Sequence, residues 1–200
     1  MDSPRYKSTI GFIDLLFNIL LGFAFLFIIA FLLIKPEAKK EDFERRAEFV
    51  IVMEWNHEMP DDIDLYVQDP TGDIVSFRHP IVNFMHLDKD DLGYVNDIVY
   101  NANGKITKVN INREVVTIRG IIPGEYIINI HMYFKVGQEP VPVTIQIDKI
   151  NPYSVVLRET IELKNKGDEV TVARFSVKSN GDVINVNKLP KKLVERWDKG

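Results

Sequence analysis

Apolar residues follow two patterns along this chain, and the two do not mix. From Ile10 to Ile34 they run almost unbroken (IGFIDLLFNILLGFAFLFIIAFLLI); from Phe49 onward they come in short bursts that alternate with polar residues. At about 1.5 Å per residue the first stretch makes a helix of about 37 Å, enough to cross a hydrocarbon core of about 30 Å with some tilt. A cleavable signal would carry a shorter apolar segment of about 7–15 residues and a small-x-small cleavage site. This run is longer and ends in LLIKPEAKK, so the expectation is a retained transmembrane helix over 10–34, preceded by a short tail over 1–9.

The second pattern has period two. VIVMEW, DIDLYVQD, DIVSF, EVVTIRG, GEYIINIHMYF, VPVTIQID, YSVVLRETIEL, VTVARFSVKS and DVINV are rich in β-branched and aromatic residues, and turn signals such as DPTGD, NANGK, IPGE and SNGD separate them. About nine short strands with glycine-bearing turns predict a mainly β protein: an antiparallel β-sandwich of two sheets over 49–200. Between helix and strands, residues 35–48 (KPEAKKEDFERRAE) form a charged connector with a solvated face. The closing KLPKKLVERWDKG predicts a short amphipathic helix that docks Leu193 and Trp197 on the sandwich.

Composition narrows the function classes. The net charge of -4 is small and the basic residues are dispersed, which excludes a nucleic-acid-binding stripe. The chain has no cysteine, which excludes disulfides, thiolate metal sites and a cysteine nucleophile. His57, His79, His86 and His131 are scattered, with no HExxH pair, and neither a GxSxG elbow nor a glycine-rich phosphate loop occurs. No enzyme and no organic cofactor is expected. His131 alternates with apolar neighbours in INIHMYF and reads as a sheet-face residue.

Two sets of residues carry chemistry. Asp14 is the one ionisable group in the apolar run, and a carboxylate facing lipid costs about 3 kcal/mol even on lenient insertion scales. Gly11, Asp14, Asn18, Gly22 and Phe25 recur at steps of three and four, so the small and polar residues share one stripe suited to a partner helix. The second set is acidic: Asp61, Asp62 and Asp64 before and within one strand, and Asp88, Asp90 and Asp91 in LDKDDLGYVND. Clustered carboxylates on loops are what calcium requires, since it takes six to eight oxygens. The spacing is not that of the twelve-residue helix–loop–helix site, and aspartate also serves turns by bonding its own backbone. Structural turns and a calcium site are the two readings.

The opening GFIDLLFNILLGFAFLF resembles the single-span B subunits of ion-driven membrane motors, the MotB and ExbD/TolR families, with Gly11 where the latter have proline. That resemblance implies that Asp14 binds a permeating H+ or Na+, that Asn18 orients it, and that two copies sit inside five multi-span MotA/ExbB-like A subunits. DDIDLYVQDPTGDIVSF, LDKDDLGYVNDIV and IPGEYIINIHMYF resemble the YfaP-like domain of unknown function across about Val50–Phe134. Both resemblances imply a bacterial inner-membrane protein with a cytoplasmic N-terminus and a periplasmic or extracellular homodimeric β domain. The lysines and arginines after the span (Lys35, Lys39, Lys40, Arg45, Arg46) outnumber those before it (Arg5, Lys7), and the positive-inside rule points the other way. The alternative function is a membrane-anchored β-sandwich that recognises glycan or protein through its acidic loops.

Overall fold

The computed structural model describes residues 8–33, 46–92, 98–100, 106–108 and 111–194 of the chain. It divides into two units, residues 1–44 and 45–200, each described by itself.

In the first unit, Ser8–Leu33 form helix α1. Within it Ile10–Phe31 are long and apolar enough to cross a membrane, and none of that stretch is buried. A Cβ added to Gly11 or Gly22 would meet nothing within 4 Å, so no contact described in this chain demands either glycine. Asp14 and Asn18 lie one turn apart on the same exposed side.

The second unit is mainly β. Its strands are β1 Phe49–Trp55, β2 Asp62–Gln68, β3 Ile74–Val75, β4 Ile81–Val82, β5 Met85–Lys89, β6 Ile98–Tyr100, β7 Ile106–Lys108, β8 Arg113–Ile118, β9 Gly124–Phe134, β10 Val141–Lys149, β11 Ser154–Leu163, β12 Glu169–Val177 and β13 Val183–Asn187. All pairings among them are antiparallel. One sheet has six strands in the order β11-β10-β1-β8-β5-β4, the other five in the order β13-β12-β9-β2-β3, and β6 and β7 pair as a third, two-stranded sheet.

The period-two sequences explain the two layers. Alternate residues of a strand face opposite ways, so β1 buries Phe49, Ile51, Met53 and Trp55, β2 buries Ile63, Leu65 and Val67, and β9 buries Tyr126, Ile128, Ile130 and Met132, all in one core. Phe175 stacks between Tyr126 and Phe49, with ring centroids 5.8 and 5.6 Å away. A second, smaller cluster lies on the opposite face of β2 and β9, where Leu193 is fully buried against Tyr66, Ile74 and Ile127.

Two expectations change. The acidic segment LDKDDLGYVND does not begin as a loop: Met85–Lys89 is a strand paired with β8, with a bulge between Leu87 and Lys89. Buried Met85 and core-packed Leu87 hold it in the sheet. Lys191–Leu193 carry no helix; Leu193 docks as expected, while Trp197 lies outside the described residues. So do the NANGK turn, Asp97 and residues 35–45 of the connector. At the end of the connector the Glu48 N–H donates to the Ile118 carbonyl at 2.7 Å and the Glu48 carbonyl accepts from Ile150 at 2.8 Å, which ties the chain to the six-stranded sheet as β1 begins.

Candidate functional site

The sequence Asp62-Ile-Asp-Leu-Tyr-Val-Gln68 places its polar members on one face of β2. Ile63, Leu65 and Val67 point into the core, so Asp62, Asp64, Tyr66 and Gln68 lie on the outer face of the five-stranded sheet. On that face β9 sets His131 opposite Asp64, with Nδ1 3.5 Å from Oδ2. On its other side β2 pairs with β3 only at Val67 and Gln68, which leaves the Leu65 N–H without a strand partner. Glu114 of β8 fills that gap by crossing from the six-stranded sheet to accept the Leu65 N–H through Oε2 at 2.7 Å.

Glu114 is 1% exposed, and its carboxyl faces the charges of Asp64 and Asp90. Asp91, equally buried, accepts from the Lys89 ammonium at 2.8 Å and from the Arg113 N–H at 3.2 Å. Five carboxyl groups, Asp62, Asp64, Asp90, Asp91 and Glu114, thus gather where β2, β8 and the end of β5 meet. Asp62 Oδ1, Asp64 Oδ2, Glu114 Oε1 and His131 Nδ1 are buried atoms with no hydrogen-bond partner among the described residues.

An aromatic rim adjoins the acids. His131 meets Tyr66 and Tyr133 edge-on, at 6.1 and 6.5 Å between centroids. Tyr133, half exposed, packs on Phe77 at 5.8 Å, and the Arg78 guanidinium lies 5.4 Å over the Phe77 ring.

Electrostatics follow from this crowding. The Asp62 carboxyl is pushed up to about 7, first by burial and then by the charges of Asp64, Asp90 and Asp91, against a smaller opposing pull from His131. Burial raises Asp64 as well, partly offset by His131. Glu114 is raised well above the usual carboxylate range, chiefly by burial and then by Asp64. Buried carboxylates that repel one another stay ionised only at a cost, which a proton or a cation would remove.

Two of the six expected aspartates belong elsewhere. Asp61 accepts the Val136 N–H at 2.9 Å, and its carbonyl accepts the Trp55 indole N–H at 3.0 Å, so it holds loops together. Asp88 accepts from the Thr117 hydroxyl at 2.6 Å and from Arg119 Nη2 at 2.8 Å. Asp69 takes the turn role instead: it accepts the N–H groups of Thr71, Gly72 and Asp73 and the Asn83 amide. Glu114 and His131 complete the cluster. Glu114 stands in phase with core-facing Val116 and Ile118 in REVVTI, and a glutamate at an inward position was the available signal. Among the described residues no group of three or more His, Cys, Asp or Glu side chains could hold a metal ion as it stands. Asp14 and Asn18 lie in the other unit.

No family model matches the chain, and no curated protein matches it. Two solved structures are similar. One is the crystal structure of unknown function protein SAV2460, at 12% identity and a TM-score of 0.47. The other is a homologue of the telluride resistance protein TerD, SCO6318 from Streptomyces coelicolor A3(2), at 12% identity and a TM-score of 0.43. Each match covers 74% of this chain and 94% of the solved one. Neither is described as a motor subunit, and the expectation of a B subunit that carries ions on Asp14 and turns within five A subunits is corrected here. The physical reason is that the stripe of Gly11, Asp14, Asn18 and Gly22 asks only for a helix contact or interfacial water, which many single-span proteins provide.

Proposed function

We propose that the chain is a binding module held at a membrane by α1, in which the acid cluster on the β domain takes up a cation, calcium being the ion best suited to it. The observation that carries this reading is the set of buried carboxylate oxygens on Asp62, Asp64 and Glu114 that accept no hydrogen bond from the described residues. Calcium accepts oxygen ligands at variable number and angle, and side chains on β2, β8 and the end of β5 would draw together around it. The same ion would offset both the burial and the mutual repulsion that push the Asp62 and Glu114 carboxyls up. Tyr133 and Phe77 would then offer a ring surface beside the ion for a glycan or protein group. With the YfaP-like resemblance, the β domain is assigned to the outside of the membrane.

The test uses the full chain in detergent micelles. Titration with calcium chloride gives saturable heat and a rise in Tm that grows with ligand concentration, because a ligand of the folded state stabilises by mass action. The Asp62→Asn, Asp64→Asn double variant loses both. Magnesium chloride in place of calcium gives the smaller response expected of an ion that needs near-ideal octahedral geometry. Absence of heat and of a Tm rise at millimolar calcium overturns the reading.

A further inference from the structure

The two sheets leave four outer strands, and three of them are poor templates for another chain. β3 and β4 are two residues each, and β13 has five residues with Asn185 at a φ of 57° inside it. β11 is different. It runs ten residues, Ser154–Leu163, contains no Pro, Gly or Lys, and among the described residues has a strand neighbour on one side only. Its one irregularity falls where Ile147 gives way to Asp148; from Leu157 to Leu163 its register with β10 is unbroken. Natural edges are usually blunted by shortness, proline, lysine or bulges, because a long regular edge pairs with other strands.

The side chains of this stretch complement themselves. Arg158, Thr160 and Glu162 form its exposed row, and among the described residues neither Arg158 nor Glu162 has an ion-pair partner. Four residues apart along one strand, their Cα atoms are separated by about 13 Å, too far to pair with each other. An antiparallel copy related by a twofold axis through Thr160 would set Arg158 opposite Glu162 of the second copy, and Glu162 opposite its Arg158, at the cross-strand Cβ spacing of about 5 Å. The same register sets Leu157 opposite Leu163 on the inner face. Glu159, also on that face, is already paired with Lys188, so no bare carboxylate enters the joint.

We propose that two copies of this chain pair through β11, antiparallel about Thr160, so that their six-stranded sheets become one continuous sheet. The contact is isologous, as a twofold dimer requires. It uses an edge on the β domain that the acid cluster does not include.

The chain has no cysteine, so a single introduced thiol reports the register directly. Thr160→Cys in the full chain, in detergent micelles or nanodiscs, should oxidise to a disulfide-linked dimer, since residue 160 faces its own copy. Lys164→Cys is the control on the same edge, because in this register its two copies lie about 26 Å apart. Adding Arg158→Glu or Glu162→Arg to Thr160→Cys should lower cross-linking about tenfold by setting like charges opposite each other, and the double reversal should restore it. Equal cross-linking at 160 and 164 overturns the proposal, as would association through α1 alone. So does failure of the double reversal to rescue, or a chain monomeric by light scattering at every concentration.

Discussion

Glu114 and Leu65 lie on different sheets, and one hydrogen bond of 2.7 Å joins them: the Glu114 carboxyl accepts the backbone N–H that β2 would otherwise leave unpaired. This sets a sharp contrast between two substitutions. Glu114→Ala strands a buried donor and should cost about 1–3 kcal/mol in denaturant unfolding. Glu114→Gln keeps an acceptor for Leu65 while removing an ionisable group from beside Asp64 and Asp90, and its midpoint should stay near that of the parent. If both variants lose the same stability, the carboxyl's role is packing rather than hydrogen bonding.

The acid cluster dictates the direction of the pH dependence. Burial and the neighbouring carboxylates push Asp62 up to about 7 from its ordinary 3.8, so the folded state holds this proton more tightly than the unfolded one. That contribution is fully present below about pH 4 and is lost as pH rises through 7. Asp64 and Glu114, raised as well, act in the same direction. The domain should therefore melt at lower temperature at pH 8 than at pH 5 when chelator is present. Asp62→Asn should flatten the slope and raise Tm at pH 8. A parent Tm that climbs from pH 5 to pH 8 would contradict this account.

Gly124 opens β9 at a φ of +139°, and a Cβ there would come within 2.6 Å of the Pro70 Cβ. Both strain and collision oppose any side chain. Gly124→Ala should destabilise the fold by about 1–3 kcal/mol, visible in the urea midpoint. Pro70→Ala in the same background removes the Pro70 ring carbon that lies 3.0 Å away but not its Cβ, and should recover only a minor part of the loss.

The segment after β13 is held by several polar side chains, Thr171 and Asn129 at the Lys191 backbone among them, and by one apolar plug. Glu169 Oε1 accepts from the Asn129 amide and from the Leu193 and Val194 N–H groups, while Leu193 is buried against Tyr66, Ile74 and Ile127. Leu193→Ala should cost about 2–5 kcal/mol if the site cannot collapse. It should also raise amide exchange at residues 191–194 before that of β9. Uniform exchange across both would mean that the segment unfolds only with the whole domain.

Strand existence was legible because the buried residues alternate so regularly: VIVMEW and GEYIINIHMYF could hardly be read otherwise. What escaped were the two- and three-residue β4, β6 and β7 and β5, whose Met-His-Leu-Asp-Lys hides a strand behind its charges and a bulge. The candidate site was half legible for a related reason. Asp62, Asp64, Asp90 and Asp91 are visible as local clusters, but Glu114 and His131 join them only through sheet pairing and a crossing between layers. The aspartates of one cluster look alike in sequence, and only the tertiary partners of Asp61 and Asp88 reveal that these two are already engaged.

Trp55 is 4% exposed, and its indole N–H donates to the carbonyl of Asp61, the residue before Asp62. The chain has one other tryptophan, Trp197, so Trp197→Phe leaves a single emitter in a dry setting one peptide bond from the acid cluster. An indole hydrogen-bonded to that backbone changes its emission wavelength when the carbonyl shifts. Titrating the cluster with acid or with a cation therefore has an optical readout built into the domain, with no label to attach.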